Sequence, residues 1–268
     1  SVPLAHETPQ QWAKKHRELG CGSVVFPVNC EASPETIDAY RQAAEQEGLI
    51  IAEVGIWKNV LAVDNREREE AVAYSINQLK IGAKCCVNIV GTPHGPIWDG
   101  GYPGNFSKET WKMAVDSIQH IIDEANPVNT KFSIEPMPWM IPTGPDEYLR
   151  LIGDVDREAF GVHMDLINMV NCPQRYFFAE EFMEECFSKL KGRILSCHIK
   201  DVLLLNEFTF QLRECACGEG TLPLEKYAQL ATAENPDMPM IIEHLHSDEE
   251  YLQSLSYLQK RLKTDSCC

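Results

Sequence analysis

The chain has 268 residues, 44% of them hydrophobic, and 40 acidic side chains outnumber 24 basic ones to give a formal net charge of −16. This charge disfavours a nucleic-acid partner, because binding to a phosphate backbone needs clustered lysines and arginines. No apolar run reaches the roughly 18 residues of a membrane span, so we expect no membrane partner either.

Cysteine usage favours a reducing compartment. The 11 cysteines form no C-x-x-C pair, so zinc-knuckle and thioredoxin-type sites have no support. No basic-then-apolar signal segment opens the sequence, and we therefore expect a cytoplasmic protein. Four of the cysteines fall in predicted apolar strands or helices, where a thiol behaves as a small hydrophobe: Cys85, Cys86, Cys186 and Cys197.

Predicted helices and strands alternate along the chain. Continuous apolar strands that alternate with amphipathic helices predict a parallel sheet covered by helices, and we expect one domain over residues 1–268. In chain order we place a helix at 8–20, a strand at 20–28, a helix from 33, a strand at 49–57, a helix at 65–81, a strand at 83–91, a helix from 107, a strand at 131–138, a helix at 145–153, a strand at 159–165, a helix at 179–191, a strand at 193–201, a helix at 223–233, a strand at 239–245 and a helix at 247–263.

Seven strands are clear, and an eighth would have to come from Val2 to Leu4, before the first helix. No strand is followed by a G-x-G-x-x-G turn, which removes the Rossmann-type fold. The alternation alone does not separate a closed barrel from an open doubly wound sheet.

Four of the strands end on a side chain that commonly binds metal ions. Glu135, Asp165, His198 and Glu243 follow one another at intervals of 30, 33 and 45 residues, about one strand–helix unit each. Parallel barrels gather functional residues at the ends of successive strands. The spacing therefore predicts that three carboxylates and one imidazole converge on one divalent cation. Such ligands suit Mn²⁺ best, and Mg²⁺, Co²⁺ or Zn²⁺ are alternatives.

A polar layer is predicted beneath these ligands, because strand residues two apart share a face. Ser133, His163 and Ser196 occupy those positions and are expected to support the ligands through hydrogen bonds. Lys200 shares the face of His198, one step nearer the mouth. It either binds a substrate oxygen or phosphate or pairs with Asp201.

Further substrate-binding candidates lie near strand ends or in adjoining loops. Trp57 and Trp98 present aromatic faces that can stack on a sugar, although packing at the rim is the alternative. His94 lies in the loop GTPHGP, and Arg213 with Glu214 precedes a glycine-rich loop. Glu53 interrupts the apolar run LIIAEVG, and its direction stays open.

The segments SIEP, GVHMD, SCHIKD, CGEGTLPLEKY and IIEHL, in this order, resemble the xylose-isomerase-like barrel superfamily. This group contains sugar phosphate isomerases and epimerases and the AP-endonuclease-2-type enzymes. The resemblance implies a (β/α)8 TIM barrel with outer helices, whose first strand is here short or missing, and a possible homodimer. It implies that Glu135, Asp165, His198 and Glu243 bind one divalent cation. In ketose epimerases the first and last glutamates are also the acid/base pair, so Glu135 and Glu243 are the catalytic candidates.

The sequence also departs from these relatives. Epimerases carry D-x-x-H after this strand, whereas Asp165 is followed by Asn168, which can hydrogen-bond a substrate hydroxyl but cannot shuttle a proton. An arginine that contacts substrate soon after the metal histidine is missing, and Arg213 is the nearest. The extra histidines of the endonuclease branch are absent as well.

We therefore expect a metal-dependent isomerase or epimerase that acts on a sugar or sugar phosphate. It would abstract a proton beside a carbonyl and stabilise an enediolate with the cation. Two alternatives remain open: a metal-dependent lyase or dehydratase on a keto-sugar or keto-inositol, and a sugar-binding barrel without turnover.

Overall fold

The computed structural model describes residues 4–264. The strands in this range are β1 (Ser23–Val25), β2 (Ile50–Gly55), β3 (Cys85–Asn88), β4 (Lys131–Ile134), β5 (Phe160–Asp165), β6 (Ile194–Ile199), β7 (Asp201–Leu204), β8 (Leu212–Cys215) and β9 (Met240–Ile242). Strands β1 to β6 and β9 pair in parallel, in the order β1-β2-β3-β4-β5-β6-β9, whereas β7 and β8 form a separate antiparallel pair.

Helices separate the strands of the sheet. Several begin with the local sequence signals expected of a helix: Ser33 caps the helix Pro34–Gln46 by accepting a hydrogen bond from the backbone N–H of Thr36, and Pro34 occupies its first turn. The helices are α1 (Pro9–Glu18), α2 (Pro34–Gln46), α3 (Asn65–Gln78), α4 (Lys108–Ala125), α5 (Pro145–Val155), α6 (Leu166–Met169), α7 (Pro173–Phe177), α8 (Ala179–Lys189), α9 (Leu224–Glu234) and α10 (Asp248–Thr264).

The seven parallel strands curl into a nearly closed barrel, with β1 approaching β9, and the helices surround it. The predicted TIM-barrel fold is confirmed. Of the predicted initial strand, Val2 and Pro3 lie outside the described residues, and Leu4 belongs to no strand.

The barrel strands are buried on both faces, which explains their continuous apolar runs. Every residue of β3 and β5 is buried, because one face packs against helices and the other fills the barrel. No helix among residues 4–264 combines the length and apolar character needed to cross a bilayer.

The predicted strand at 193–201 needs correction, because the barrel strand ends at Ile199 and the chain then leaves the sheet. Residues 201–215, for most of which no element was predicted, form the β7–β8 hairpin. Asp201 stabilises the backbone at the point where the chain leaves the sheet. Its carboxylate accepts hydrogen bonds from the backbone N–H groups of Val202, Gly218, Gly220 and Leu222, at 2.9 to 3.1 Å.

Candidate metal centre

The barrel gathers the four predicted ligands at the carboxyl ends of its strands. Glu135 follows β4, Asp165 ends β5, His198 lies in β6 and Glu243 follows β9. One ligand atom from each lies within 4.8 Å of the others. All are buried except Glu243, whose side chain is 13% exposed.

His198 stands at the middle of this group and uses its two ring nitrogens differently. Nδ1 is 2.8 Å from Glu243 Oε2 and 3.3 Å from Glu135 Oε1, yet it makes no hydrogen bond of acceptable geometry. Nε2 lies 3.1 Å from Glu53 Oε1. A proton on Nε2 would be donated to Glu53, which leaves the Nδ1 lone pair directed at the other carboxylates. A buried nitrogen without a partner among carboxylates is what a divalent cation would satisfy.

Glu53 was not assigned to the site from the sequence, and the structure turns it inward. Burial alone would raise the pKa of its carboxyl group, but the charges of His198 and His163 and the hydrogen bond from His198 outweigh burial and lower the pKa to about 2. Glu53 is therefore ionised at neutral pH. A second arrangement of possible ligand atoms, from Glu53, His163 and His198, also lies within 4.8 Å.

The three polar side chains predicted beneath the ligands, Ser133, His163 and Ser196, are fully buried, but their hydrogen bonds run to one another or to β3 and not to the four proposed ligands. His163 Nδ1 lies 2.7 Å from Ser196 Oγ, and the His163 ring meets that of His198 edge to face at 4.0 Å between centroids. Burial, assisted by the charge of His198, lowers the pKa of His163 to about 4, so His163 is neutral at neutral pH. Ser133 instead donates its hydroxyl proton to the carbonyl of Cys86.

Lys200 does not pair with Asp201, which binds backbone groups instead. Its Nζ is 2.7 Å from Asp165 Oδ2, 2.6 Å from Glu243 Oε1 and 3.2 Å from Glu214 Oε1, and the side chain is 1% exposed. Burial would lower the pKa of Lys200, but these carboxylates outweigh burial and raise it. Because an ammonium has three donors, a direct contact with substrate would require one of these ion pairs to open.

Asn168 contacts two of the proposed ligands, whereas Glu214 contacts Lys200 and His244 beside them. The Asn168 amide donates to Glu135 Oε1 at 3.2 Å, and its backbone N–H donates to Asp165 Oδ1 at 3.0 Å. Glu214 Oε2 lies 2.8 Å from Nδ1 of His244. His244 was not predicted from the sequence, and its φ of 57° turns the chain immediately after Glu243.

Of the other residues predicted to bind substrate, only Trp57 shares a cavity with the proposed ligands. Trp57 lines a cavity of about 690 Å³ together with Glu53, His198 and Glu243. In the described part of the chain, no hydrogen bond or ion pair joins Arg213, His94 or Trp98 to the four proposed ligands. Arg213 precedes Glu214 on β8 and so points to the opposite face, His94 lies beside Thr110 and Tyr102, and Trp98 is 53% exposed.

The electrostatics keep the two flanking glutamates ionised. Burial would raise the pKa of Glu243, but His198 and Lys200 outweigh it and hold the pKa below its ordinary value. The pKa of Glu135 is also lowered, because the nearby charge of His198 overcomes burial. Conversely, Glu243, Glu53 and Glu135 raise the pKa of His198 well above its ordinary value in spite of burial. Burial and the charges of Glu243 and Glu135 raise the pKa of Asp165 well above its ordinary value in spite of Lys200, so the acidic groups repel one another in a way that a bound cation would relieve.

The sequence of residues 13–261 matches the family described as "Xylose isomerase-like TIM barrel". The chain belongs to this family. The resemblance recognised in the sequence is thereby confirmed. A search of curated proteins finds no match.

Solved structures with the same fold cover nearly the whole of this xylose isomerase-like TIM barrel. One is a xylose isomerase-like TIM barrel protein from Mycobacterium smegmatis in complex with magnesium, with a TM-score of 0.69 and 20% identity over 96% of this chain and 90% of that chain. Another is D-psicose 3-epimerase with D-tagatose from Clostridium cellulolyticum H10, with a TM-score of 0.69 and 14% identity over 96% and 94% of the chains.

A third structure is 3-keto-D-glucoside 4-epimerase from E. coli in its apo form, with a TM-score of 0.69 and 15% identity over 97% of both chains. At these identities the similarity shows the shared fold of the family alone.

Proposed function

We propose that this protein is a divalent-cation-dependent isomerase or epimerase that acts on a sugar or sugar phosphate. The observation that carries the proposal is the pair of ionised glutamates, Glu135 and Glu243, which both approach Nδ1 of His198 from different strands, at 3.3 Å and 2.8 Å. Sugar epimerases among the solved structures of the same fold support this class of reaction.

The two glutamates would move the proton. Isomerisation beside a carbonyl needs a base that removes a proton from carbon and an acid that returns one. One ionised glutamate can do both when the proton returns to the same face, whereas inversion at carbon requires the other glutamate to take up a proton from solvent before it delivers it to the opposite face. Glu135 follows β4 and Glu243 follows β9, so a substrate carbon between them would meet a carboxylate on either side. The amide of Asn168 donates to Glu135 Oε1 and helps to fix its carboxylate.

The remaining residues would hold the cation. His198 Nδ1, Asp165, Glu135 and Glu243 provide one nitrogen and carboxylate oxygens, a ligand set for which we propose Mn²⁺, with Mg²⁺, Co²⁺ and Zn²⁺ as alternatives. When bound, such a cation supplies positive charge that stabilises an enediolate. Glu53 would hold the His198 ring in the orientation that presents Nδ1.

The test is solvent deuterium exchange with Mn²⁺-loaded protein and a panel of keto-sugars, with and without phosphate groups. Incorporation of deuterium at the carbon beside the carbonyl, together with formation of an isomer or epimer, supports the proposal. Metal and sugar binding without exchange would overturn it in favour of a sugar-binding barrel.

A lyase or dehydratase on a keto-sugar or keto-inositol would begin with the same proton abstraction. It differs in its product, because a leaving group departs and an unsaturated carbonyl compound forms. Mass spectrometry of the exchange reactions separates the two outcomes. The cytoplasmic compartment, the homodimer and the absence of nucleic-acid and membrane partners stay predictions of the sequence.

A further inference from the structure

The ammonium group of Lys200 lies among metal-type ligands of its own. Its Nζ is 2.6 Å from Glu243 Oε1, 2.7 Å from Asp165 Oδ2 and 3.2 Å from Glu214 Oε1, and it lies 3.4 Å from Nδ1 of His244. Three carboxylates and one imidazole therefore surround one positive charge. The candidate metal centre beside it has the same composition of side chains.

Two of the carboxylates belong to both groups. Glu243 directs Oε1 to Lys200 while its Oε2 lies 2.8 Å from His198 Nδ1. Asp165 directs Oδ2 to Lys200, and its Oδ1 accepts the backbone N–H of Asn168. Proteins that bind two metal ions about 3.5–4 Å apart share ligands between them in this way. Nζ of Lys200 thus lies where the second cation of such a pair would bind.

We propose that Lys200 is a built-in cation that occupies a second cation position beside the metal centre and so restricts the chain to one divalent ion. This inference rests on the metal site of the proposed function.

Burial and charge support the assignment. The side chain of Lys200 is 1% exposed, its ammonium donates hydrogen bonds to Asp165 and Glu243, and Glu214 lies within ion-pair distance, so the ammonium is held in place. While the ammonium of Lys200 lies between these carboxylates, a divalent ion cannot occupy the same position.

The first experiment counts Mn²⁺ ions bound per chain by equilibrium dialysis of chelator-treated protein, with circular dichroism to verify folding. Wild-type protein should bind one ion, and Lys200→Ala should bind two, whose proximity appears as spin coupling in the electron paramagnetic resonance spectrum. Lys200→Met, which removes the charge but fills much of the space, is the matched control and should bind no second ion.

Glu214 provides the second experiment, because it contacts Lys200 and His244 but none of the four ligands of the first centre. Glu214→Gln in the Lys200→Ala background should return the count to one ion. In the wild-type background it should change the affinity for the single ion by less than about tenfold. A larger loss would place Glu214 at the first ion and overturn the inference. The measurement on Glu214→Gln in the wild-type background is valid even if Lys200→Ala does not fold.

The outcomes separate the two proposals. If the wild type binds no divalent ion, the proposed function fails. If the wild type and Lys200→Ala both bind one ion, the proposed function stands and the role of Lys200 is wrong. Two ions in the wild type would also overturn the role of Lys200.

Discussion

At the scale of single residues, the two ring nitrogens of His198 contact different carboxylates of the candidate site. Its Nε2 meets Glu53 from β2, whereas its Nδ1 meets glutamates that follow β4 and β9. A neutral imidazole has one donor and one acceptor nitrogen, so the partner of one nitrogen decides what the other can bind. Glu53 therefore determines which nitrogen of His198 is available to a cation.

Glu53→Gln tests this role. The amide can still accept the Nε2 proton but carries no charge, so we expect Mn²⁺ affinity to fall about 10- to 100-fold while the fold persists. Isothermal titration measures the affinity, and nitrogen NMR of the His198 ring reports its tautomer. Unchanged affinity in the variant would mean that Glu53 does not act through His198.

Glu135→Gln and Glu243→Gln test the proton carriers. An amide oxygen can remain a ligand but cannot take up a proton, so we expect turnover to fall by at least about 10²-fold while much of the Mn²⁺ binding survives. Glu180→Gln, at an exposed position on α8, is the control and should leave turnover unchanged. Near-wild-type deuterium exchange by Glu243→Gln would contradict the assignment.

At the scale of elements, two buried tyrosines tie the outer helices to the strands that carry the ligands. Tyr148 of α5 directs its hydroxyl to the carbonyls of Ile134 at 2.6 Å and His163 at 3.2 Å. Tyr227 of α9 directs its hydroxyl to those of Met164 at 2.8 Å and His198 at 3.0 Å. Each hydroxyl thus bridges two neighbouring strands close to a proposed ligand.

Tyr227→Phe should destabilise the protein, because buried carbonyls lose a donor. We expect the free energy of unfolding to fall by about 1–3 kcal/mol in urea titrations. Tyr176→Phe, whose hydroxyl contacts Thr221 nearer the surface, is the matched control and should change stability by less than about 0.5 kcal/mol. Equal destabilisation by the two variants would show that burial of the Tyr227 hydroxyl does not explain the loss of stability.

The sequence predicted the elements that carry the four ligands, because a carboxylate or imidazole at the end of an apolar run is conspicuous. It did not resolve Glu53, since strands buried on both faces lack the alternation that reveals direction. The sequence around His244 did not indicate that its side chain lies beside the site, because its position depends on a left-handed backbone at φ 57°, which local composition does not specify. The β7–β8 hairpin escaped prediction because it follows the apolar strand without an obvious turn signal.

At the scale of the whole molecule, alkaline pH should weaken the fold through buried thiols. Burial raises the pKa of Cys85, Cys186, Cys197 and Cys217 to about 12 from 9.0. Above pH 9 the unfolded chain releases these protons while the native chain retains them, so stability falls as pH rises from 9 toward 12. Each thiol should remove about 1 kcal/mol between pH 9 and pH 10.

Urea unfolding at pH 8, 9 and 10 measures this loss. Cys186→Ala should lower stability at every pH through the cavity that it leaves, but its decline between pH 9 and pH 10 should be shallower by about 1 kcal/mol. A parallel decline in both proteins would show that Cys186 does not contribute to the pH dependence.

The β7–β8 hairpin has a consequence for how this protein can change. Glu214 of the hairpin contacts Lys200 and His244, but strands β7 and β8 form a sheet separate from the barrel strands. Asp201 and its four backbone hydrogen bonds hold the neighbouring loop at the point where the hairpin leaves the barrel. Residues 203–214 can therefore vary in length and composition with little change to the ladder of the barrel sheet, while Val202 packs in the core and keeps the base of the hairpin in place.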